Sequence, residues 1–398
     1  MNYQSTSSSS RLHIAIFGCR NSGKSTLMNA IIGHEVSVVS DVAGTTTDVV
    51  SKAMELRGVG PTLLIDTPGF DDDDLMLGEK RIQQTSKALE KSDMALLVCS
   101  TSDLKIESEW ANRFNDKNIP FIPIVNVKPE LSDIEGYVNA IMNAIGKSPV
   151  VVNASKSENM ERLRLAILEA IPQDFDRHSI TGSLVSENDT VILVMPQDAQ
   201  APKGRLIMPQ VQTLRELMDK KAIALCCTPE NLQQTLDLMT DPPKLIITDS
   251  QVFGLVYPLT PKESMLTSFS VLMAGYKGDI RKFIEGASAI DRLTESSRIL
   301  IAEACAHAPA SEDIGRVKIP MLLRKRVGQN LAIDFVSGSD FPVDLTIYDL
   351  IIHCGACMFN RKYVINRLDQ AVVQRVPMTN YGVVIAYLNG IIDKIVYL

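Results

Sequence analysis

The sequence predicts an α/β protein in three parts, and three observations carry that prediction. An apolar strand, a Gly-rich loop and a helix follow one another near the start of the chain. Short apolar runs then alternate with helical stretches, the pattern of a parallel, doubly wound sheet. Near residue 175 the polar, Pro-interrupted stretch "PQDFDRHSITGSLVSEND" breaks the alternation before a second series begins. At 398 residues the chain exceeds one ordinary core, since domains average about 100–200 residues.

Composition narrows the function classes. With 45% hydrophobic and 22% charged residues and a net charge of −7, the chain reads as soluble and globular. No basic stripe points to nucleic acid. The opening "MNYQSTSSSS" has neither a basic nor an apolar segment and reads as a frayed tail over residues 1–10. No apolar run approaches the roughly 18 residues of a membrane helix, so a cytoplasmic protein with no membrane partner is expected. Cys19, Cys99, Cys226, Cys227, Cys305, Cys354 and Cys357 are odd in number and scattered, which predicts reduced or metal-bound thiols. No internal repeat is evident.

Residues 11–175 carry the clearest chemistry. "RLHIAIFGCRNSGKSTLMNAII" places GxxxxGKS, Gly18 to Ser25, between the required strand and helix. Backbone N–H groups around Asn21, Ser22, Gly23 and Thr26 can wrap phosphates, Lys24 can reach the β and γ phosphates, and the Ser25 hydroxyl suits Mg²⁺. "TLLIDTPG" then ends an apolar strand in DxxG, Asp66 to Gly69, which holds Mg²⁺ through water and senses the γ-phosphate. Between them, "VAGTTTD" offers Thr46 as the second Mg²⁺ ligand, with Thr45 its rival. Lys24, Thr46, Asp66 and Gly69 form the expected catalytic set. Further strands are predicted at "MALLVCS", "FIPIVNV" and "PVVVNAS".

Guanine recognition is altered. Where NKxD is usual, the chain has Asn126, Val127, Lys128, Pro129 and Glu130, so Glu130 replaces the Asp or selectivity weakens. "NASK", with Ser155, matches the last guanine loop, and GTP remains the expected nucleotide. After DxxG stands Phe70, which cannot orient water by hydrogen bonding. The GxxNxGKS arrangement and Thr-rich loop resemble the TrmE-Era branch of GTPases, which recruit K⁺ where others use an arginine finger. That resemblance implies slow, K⁺-stimulated hydrolysis with Asn21 at the K⁺ site. The run "DDDDL" reads as a solvated loop tip, and Cys19 and Cys99 as packing residues.

Residues 176–264 predict a small α/β module from "TVILVMP", "QVQTLRELMDKK", "AIALCCT", "NLQQTLDLM" and "KLIITD". It lacks a phosphate motif, so an association surface is the expectation. Lys203-Gly204-Arg205 reads as a basic turn, and Cys226 and Cys227, adjacent on a strand, face opposite ways.

Residues 265–398 open with helical stretches through "SSRILIAEAC", placing Cys305 and His307 at a helix end. His353, Cys354 and Cys357 follow in "IIHCGACMFN", completing CxH...HCxxC. Two thiolates of a CxxC can meet one metal, and the third must be returned by the fold. Zinc on three cysteines and either His fits the spacing. A 4Fe–4S cluster with a replaceable fourth ligand, such as His307, His353, Glu312 or Asp313, fits as well. Buried, metal-free cysteines also remain open.

Taken together, GxxNxGKS, "APKGRLIMPQVQTLRELMD", "EDIGRVKIP" and CxH...HCxxC resemble the HydF family, the scaffold and carrier GTPases of (FeFe)-hydrogenase maturation. The resemblance implies a homodimer formed by the middle module. It implies a 4Fe–4S cluster on Cys305, Cys354 and Cys357, with His307 and His353 tuning the site or bonding from its periphery. It further implies a transient di-iron precursor, received from radical-SAM maturases and delivered to apo (FeFe)-hydrogenase.

Overall fold

The computed structural model describes residues 8–34, 40–42, 50–69, 84–129, 131–172, 178–197, 206–304, 314–338, 340–357 and 359–398. They fall into two compact units, Met1–Arg177 and His178–Leu398. Thr45, Thr46, Phe70, the "DDDDL" run, Glu130, Lys203, Gly204, Arg205, Cys305, His307, Glu312 and Asp313 lie outside the described residues.

The first unit is a seven-stranded sheet in the order β2-β3-β4-β1-β5-β6-β7. Its central strand β1, Leu12–Gly18, is buried along its whole length, as expected of a parallel strand covered on both faces. β4 (Gly60–Asp66), β5 (Met94–Cys99), β6 (Phe121–Asn126) and β7 (Val150–Val152) extend the parallel part. The sequence predicts parallel strands alone, but β2 (Ser40–Val42) and β3 (Ser51–Leu56) add an antiparallel edge. One face packs on α1 (Lys24–His34) and α4 (Met160–Ala170) through Leu27, Ile31, Leu163 and Ile167. The other packs on α2 (Lys105–Asp116) and α3 (Ile134–Ile145), where Phe17, Trp110, Phe114 and Phe121 meet at ring-centroid distances of 5.0–6.0 Å. This frame holds the Gly-rich loop at the carboxyl end of β1.

The second unit contains two four-stranded, all-parallel sheets. In the first, β8 (Thr190–Val194), β9 (Ile223–Cys227), β10 (Leu245–Thr248) and β11 (Met265–Ser268) lie in the order β11-β10-β8-β9. In the second, β12 (Arg298–Glu303), β13 (Ala332–Ser337), β14 (Leu350–His353) and β15 (Met378–Asn380) lie in the order β13-β12-β14-β15. The first carries α5 (Met208–Asp219), α6 (Leu232–Asp237), α7 (Phe253–Val256) and α8 (Phe269–Lys277). Then follow α9 (Ile280–Ala287), α10 (Ile319–Val327), α11 (Arg361–Val373) and α12 (Tyr381–Leu388).

Three sequence expectations are corrected here. "RILIAE" is not helix but the central strand β12, an apolar run too short for periodicity to separate strand from helix. Residues 265–268, expected to open the third part, hydrogen-bond as the last strand of the middle sheet. The modules are also repeats of one another. Both sheets run first strand beside second, and third between first and fourth, in one register: Val191 pairs with Leu245 as Ile299 pairs with Leu350, and Ile246 with Leu266 as Ile351 with Met378. In that register "LTSFSVLMA" aligns with "MTNYGVVIA", and nearby "GRLIMP" echoes "GRVKIP". Ser268 and Asn380 cap the following helices identically, accepting from the N–H groups of Val271 and Val383 at 3.2 and 3.0 Å. One shared core, including Ile192, Ile246, Phe253, Leu300, Ile351 and Tyr363, joins the two modules. They therefore fold as one body.

Candidate functional site

The nucleotide site is built on the turn from β1 to α1. Asn21 takes a left-handed conformation, φ +58°, that bends the loop back over the helix end. Gly23, φ +97°, lies so close to the Asn126 amide that a side chain would overlap it. The Lys24 ammonium folds onto its own loop, donating to the Gly18 and Cys19 carbonyls at 2.9 and 2.8 Å. Ser25 and Thr26 are exposed at the first turn of α1, whereas the Ser22 hydroxyl points inward and is buried.

DxxG closes on this loop. The Ser25 hydroxyl donates to Asp66 Oδ2 at 2.5 Å, and Asp66 Oδ1 is buried with no hydrogen-bond partner among the described residues. A hydroxyl beside a half-satisfied carboxylate is a donor set that fits Mg²⁺. Thr67 fastens the segment to β1 by donating to the Ile16 carbonyl at 2.7 Å. At Gly69 a Cβ would come within 2.6 Å of the Arg20 nitrogen, so only glycine lets the two phosphate loops meet back to back.

The altered guanine segment is structurally intact in its described part. Asn126 Oδ1 accepts from the Ala154 N–H at 3.1 Å, and Lys128 Nζ donates to the Asn21 carbonyl at 2.6 Å. Ser155 hydrogen-bonds Asn153 at 3.3 Å in the adjoining loop. Glu107 escapes sequence reading because no motif marks it. Its buried carboxylate accepts from the Ser100 and Thr101 N–H groups at 3.1 and 3.0 Å and shapes the turn after β5. Burial first, and Glu107 second, push the Cys99 thiol up to about 12, which leaves it an inert packing group.

The cysteine site sits where the order of the second module reverses, between β12 and β14, the usual ligand crevice of such sheets. Cys354 follows β14, and its thiol accepts N–H bonds from Ala304 at 3.0 Å and Ala356 at 3.4 Å. Two backbone donors on one sulphur suit a thiolate, and Ala304 is the residue before Cys305. Cys357 is half-buried nearby in sequence. The Cys354 thiol so placed fits a ligand of a thiolate-held metal group, although no cluster of three or more His, Cys, Asp or Glu occurs among the described residues.

His353 departs from its expected ligand role. It is fully buried, with Nδ1 hydrogen-bonded to the Cys354 carbonyl at 2.7 Å and Nε2 facing Arg367 Nη1 at 3.0 Å. An Nδ1–H tautomer satisfies both bonds and leaves no lone pair for a metal. Burial, with the Arg367 charge adding to it, pushes the ring down to about 3. Its bonding to backbone is the peripheral role the sequence left open. Sequence reading also missed Arg367, whose guanidinium donates to the Gly338 carbonyl at 2.6 Å and stacks 4.2 Å from the Tyr363 ring centre. Glu303 and Arg316 flank the segment that carries Cys305, and they pair at 2.8 Å.

Comparison with known proteins follows this division. Residues 13–127 match the family model described as 50S ribosome-binding GTPase. Residues 180–278 match the hydrogen maturase F dimerization domain, and 281–398 its tetramerization domain. GTPase Der of Wolinella succinogenes is 33% identical over 44% of this chain and 39% of its own length. The tRNA modification GTPase MnmE of Chromobacterium violaceum is 33% identical over 40% of this chain and 35% of its own. The chain thus spans less than two fifths of the length of either relative. A solved structure of Aquifex aeolicus Era bound to GDP.AlF4- is 19% identical, covers 54% of this chain and 92% of that one, and has a TM-score of 0.33. The N-terminal unit is a GTPase domain, and with both maturase modules behind it the chain belongs to the hydrogen maturase F (HydF) family.

Proposed function

We propose that this chain is a GTP-hydrolysing scaffold and carrier that binds a 4Fe–4S cluster on Cys305, Cys354 and Cys357. It receives a di-iron precursor from radical-SAM maturases and delivers it to apo (FeFe)-hydrogenase in the cytoplasm. Residues 11–175 hydrolyse GTP, the middle module, which runs through the strand Met265–Ser268 and the helix Phe269–Lys277, supplies the dimer contact, and the module that follows holds the cluster. No described helix is long and apolar enough to cross a membrane. The observation that supports the reading most is the Cys354 thiol, held at the β12/β14 crevice by the N–H of Ala304, next to Cys305.

The cluster would supply an iron with a replaceable ligand, where a second iron unit can dock. In the GTPase unit, Lys24 would turn from the Gly18 and Cys19 carbonyls to the β and γ phosphates, and Ser25, Thr46 and Asp66 would hold Mg²⁺, directly or through water. Water attacks the γ-phosphorus as the bond to the β–γ bridging oxygen breaks, giving GDP and phosphate. Asn21 would hold K⁺, which would supply the charge compensation that Phe70 cannot. Switch movement then gates partner exchange.

Anaerobic purification with iron, sulphide and zinc analysis tests the central claim: iron and sulphide with the three cysteines intact, lost in C354S, is expected. Stoichiometric zinc without iron would sink it. Equal initial hydrolysis rates in K⁺ and Na⁺ at one ionic strength would remove the K⁺ assignment.

A further inference from the structure

The turn that carries Cys354 and Cys357 is anchored by a helix of the other module. Lys277, the last residue of α8, is 2% exposed, and its Nζ donates to the Phe359 carbonyl at 2.7 Å. In return, Arg361 Nη1 donates to the carbonyls of Gly275, Tyr276 and Gly278 at 3.1, 3.0 and 2.6 Å, around the end of α8. Cations are favourable at a helix carboxyl end, where carbonyls lack intrahelical partners. The two contacts run in opposite directions, so α8 and the cysteine turn hold each other.

The internal repeat provides a control within the same molecule. α8 and α12 share register from their capping residues onward, so the counterpart of Lys277 is Asn389. Asn389 is exposed and carries no charge. Cys354 is matched in the other copy by Asp249, since Thr248 and His353 end equivalent strands. Of these two equivalent helix ends, the one that touches the cysteine turn carries the buried ammonium and the other does not.

We propose that Lys277 is a positioning residue for the metal site, with Arg361 completing the latch. It fixes the carbonyl of Phe359, two residues beyond Cys357, and puts positive charge on the turn whose thiolates would make a bound group anionic. The proposal rests on the cluster reading above. It also gives the association module a direct mechanical hold on the site.

The test compares full-length wild type with K277M, K277R and the surface control N389K. In cluster-free protein, K277M should raise amide exchange across residues 354–361 on the order of tenfold while β8 and β10 keep their protection. In reconstituted protein, K277M should release iron to a chelator about tenfold faster, as lost outer-shell contacts generally do. Its cluster potential should move to more negative values. K277R should stay close to wild type, and N389K should be silent in all three readouts. Unchanged exchange in cluster-free K277M overturns the latch even where iron binds normally. Wild type that takes up zinc alone overturns the cluster reading, and the exchange result still decides the latch.

Discussion

Loss of Arg316 should destabilise the second unit. Arg316 lies in the single turn Ile314–Lys318, and Glu303 ends β12 across the segment that carries Cys305. The Glu303 side chain is 5% exposed and accepts from Arg316 Nε at 3.1 Å, from Nη2 at 2.8 Å and from the Ser337 hydroxyl at 3.1 Å. R316A leaves the carboxylate buried with the Ser337 hydroxyl as its remaining partner from this network. Breaking a fully buried pair costs about 3–5 kcal/mol. Arg316 is itself 35% exposed, so water replaces part of what is lost and about 2–3 kcal/mol is expected. The double variant E303M/R316M removes both charges and should recover to within about 1.5 kcal/mol of wild type. Urea unfolding followed by two probes isolates the effect. The only tryptophan, Trp110, lies in the first unit, so its fluorescence transition should stay in place while part of the circular-dichroism transition moves to lower urea. If R316A shifted stability by less than about 0.5 kcal/mol, or the double variant were as weak as R316A, burial of the ion pair would not be the controlling energy.

G23A places a side chain against Asn126 at a positive φ, and the resulting strain of about 1–3 kcal/mol should weaken GTP binding roughly tenfold or more in titration calorimetry. Unchanged affinity would mean that the loop relaxes freely. N126A removes the acceptor of the Ala154 N–H and should lower GTP affinity on the order of tenfold, with ATP and XTP titrations showing how much base selectivity the altered motif retains. Glu216 gives a pH dependence. Burial would raise its carboxyl, but the Thr181 hydroxyl, the Ile180 and Thr181 N–H groups and the Ser179 hydroxyl prevail and hold it below 4.5. A depressed carboxylate stabilises fully above its unfolded pKa and loses that contribution as pH falls through the folded one. Stability of the second unit should therefore drop on acidification below about pH 4.5, and E216Q should be less stable at neutral pH with a flatter acid limb. Identical acid limbs would remove Glu216 as the cause.

What the sequence determined by itself was whatever depends on contiguous residues. The GxxxxGKS turn needs only a strand, a tight loop and a helix in series, so Gly18 to Ser25 could be placed without a fold. DxxG and the buried strands were legible for the same reason, because central parallel strands read as unbroken apolar runs. The cysteine pattern offers a candidate ligand set without its geometry, since spacing alone leaves zinc, iron–sulphur and metal-free thiols open. Short apolar runs are where sequence reading failed: "RILIAE" lacks the length to reveal its period, and it became β12 only because a sheet was there to receive it.

Tertiary structure decided the rest. The repeat of the two modules rests on strand order and register, which tolerate nearly complete replacement of side chains, so few identities survive to be seen. His353 lost its place as a ligand because Arg367, fourteen residues on, occupies its second nitrogen. Lys277 and Phe359 are 82 residues apart in the chain, and their contact exists because two modules share one core. Local motifs fix which chemistry is present, and long-range packing fixes which atoms remain free to perform it.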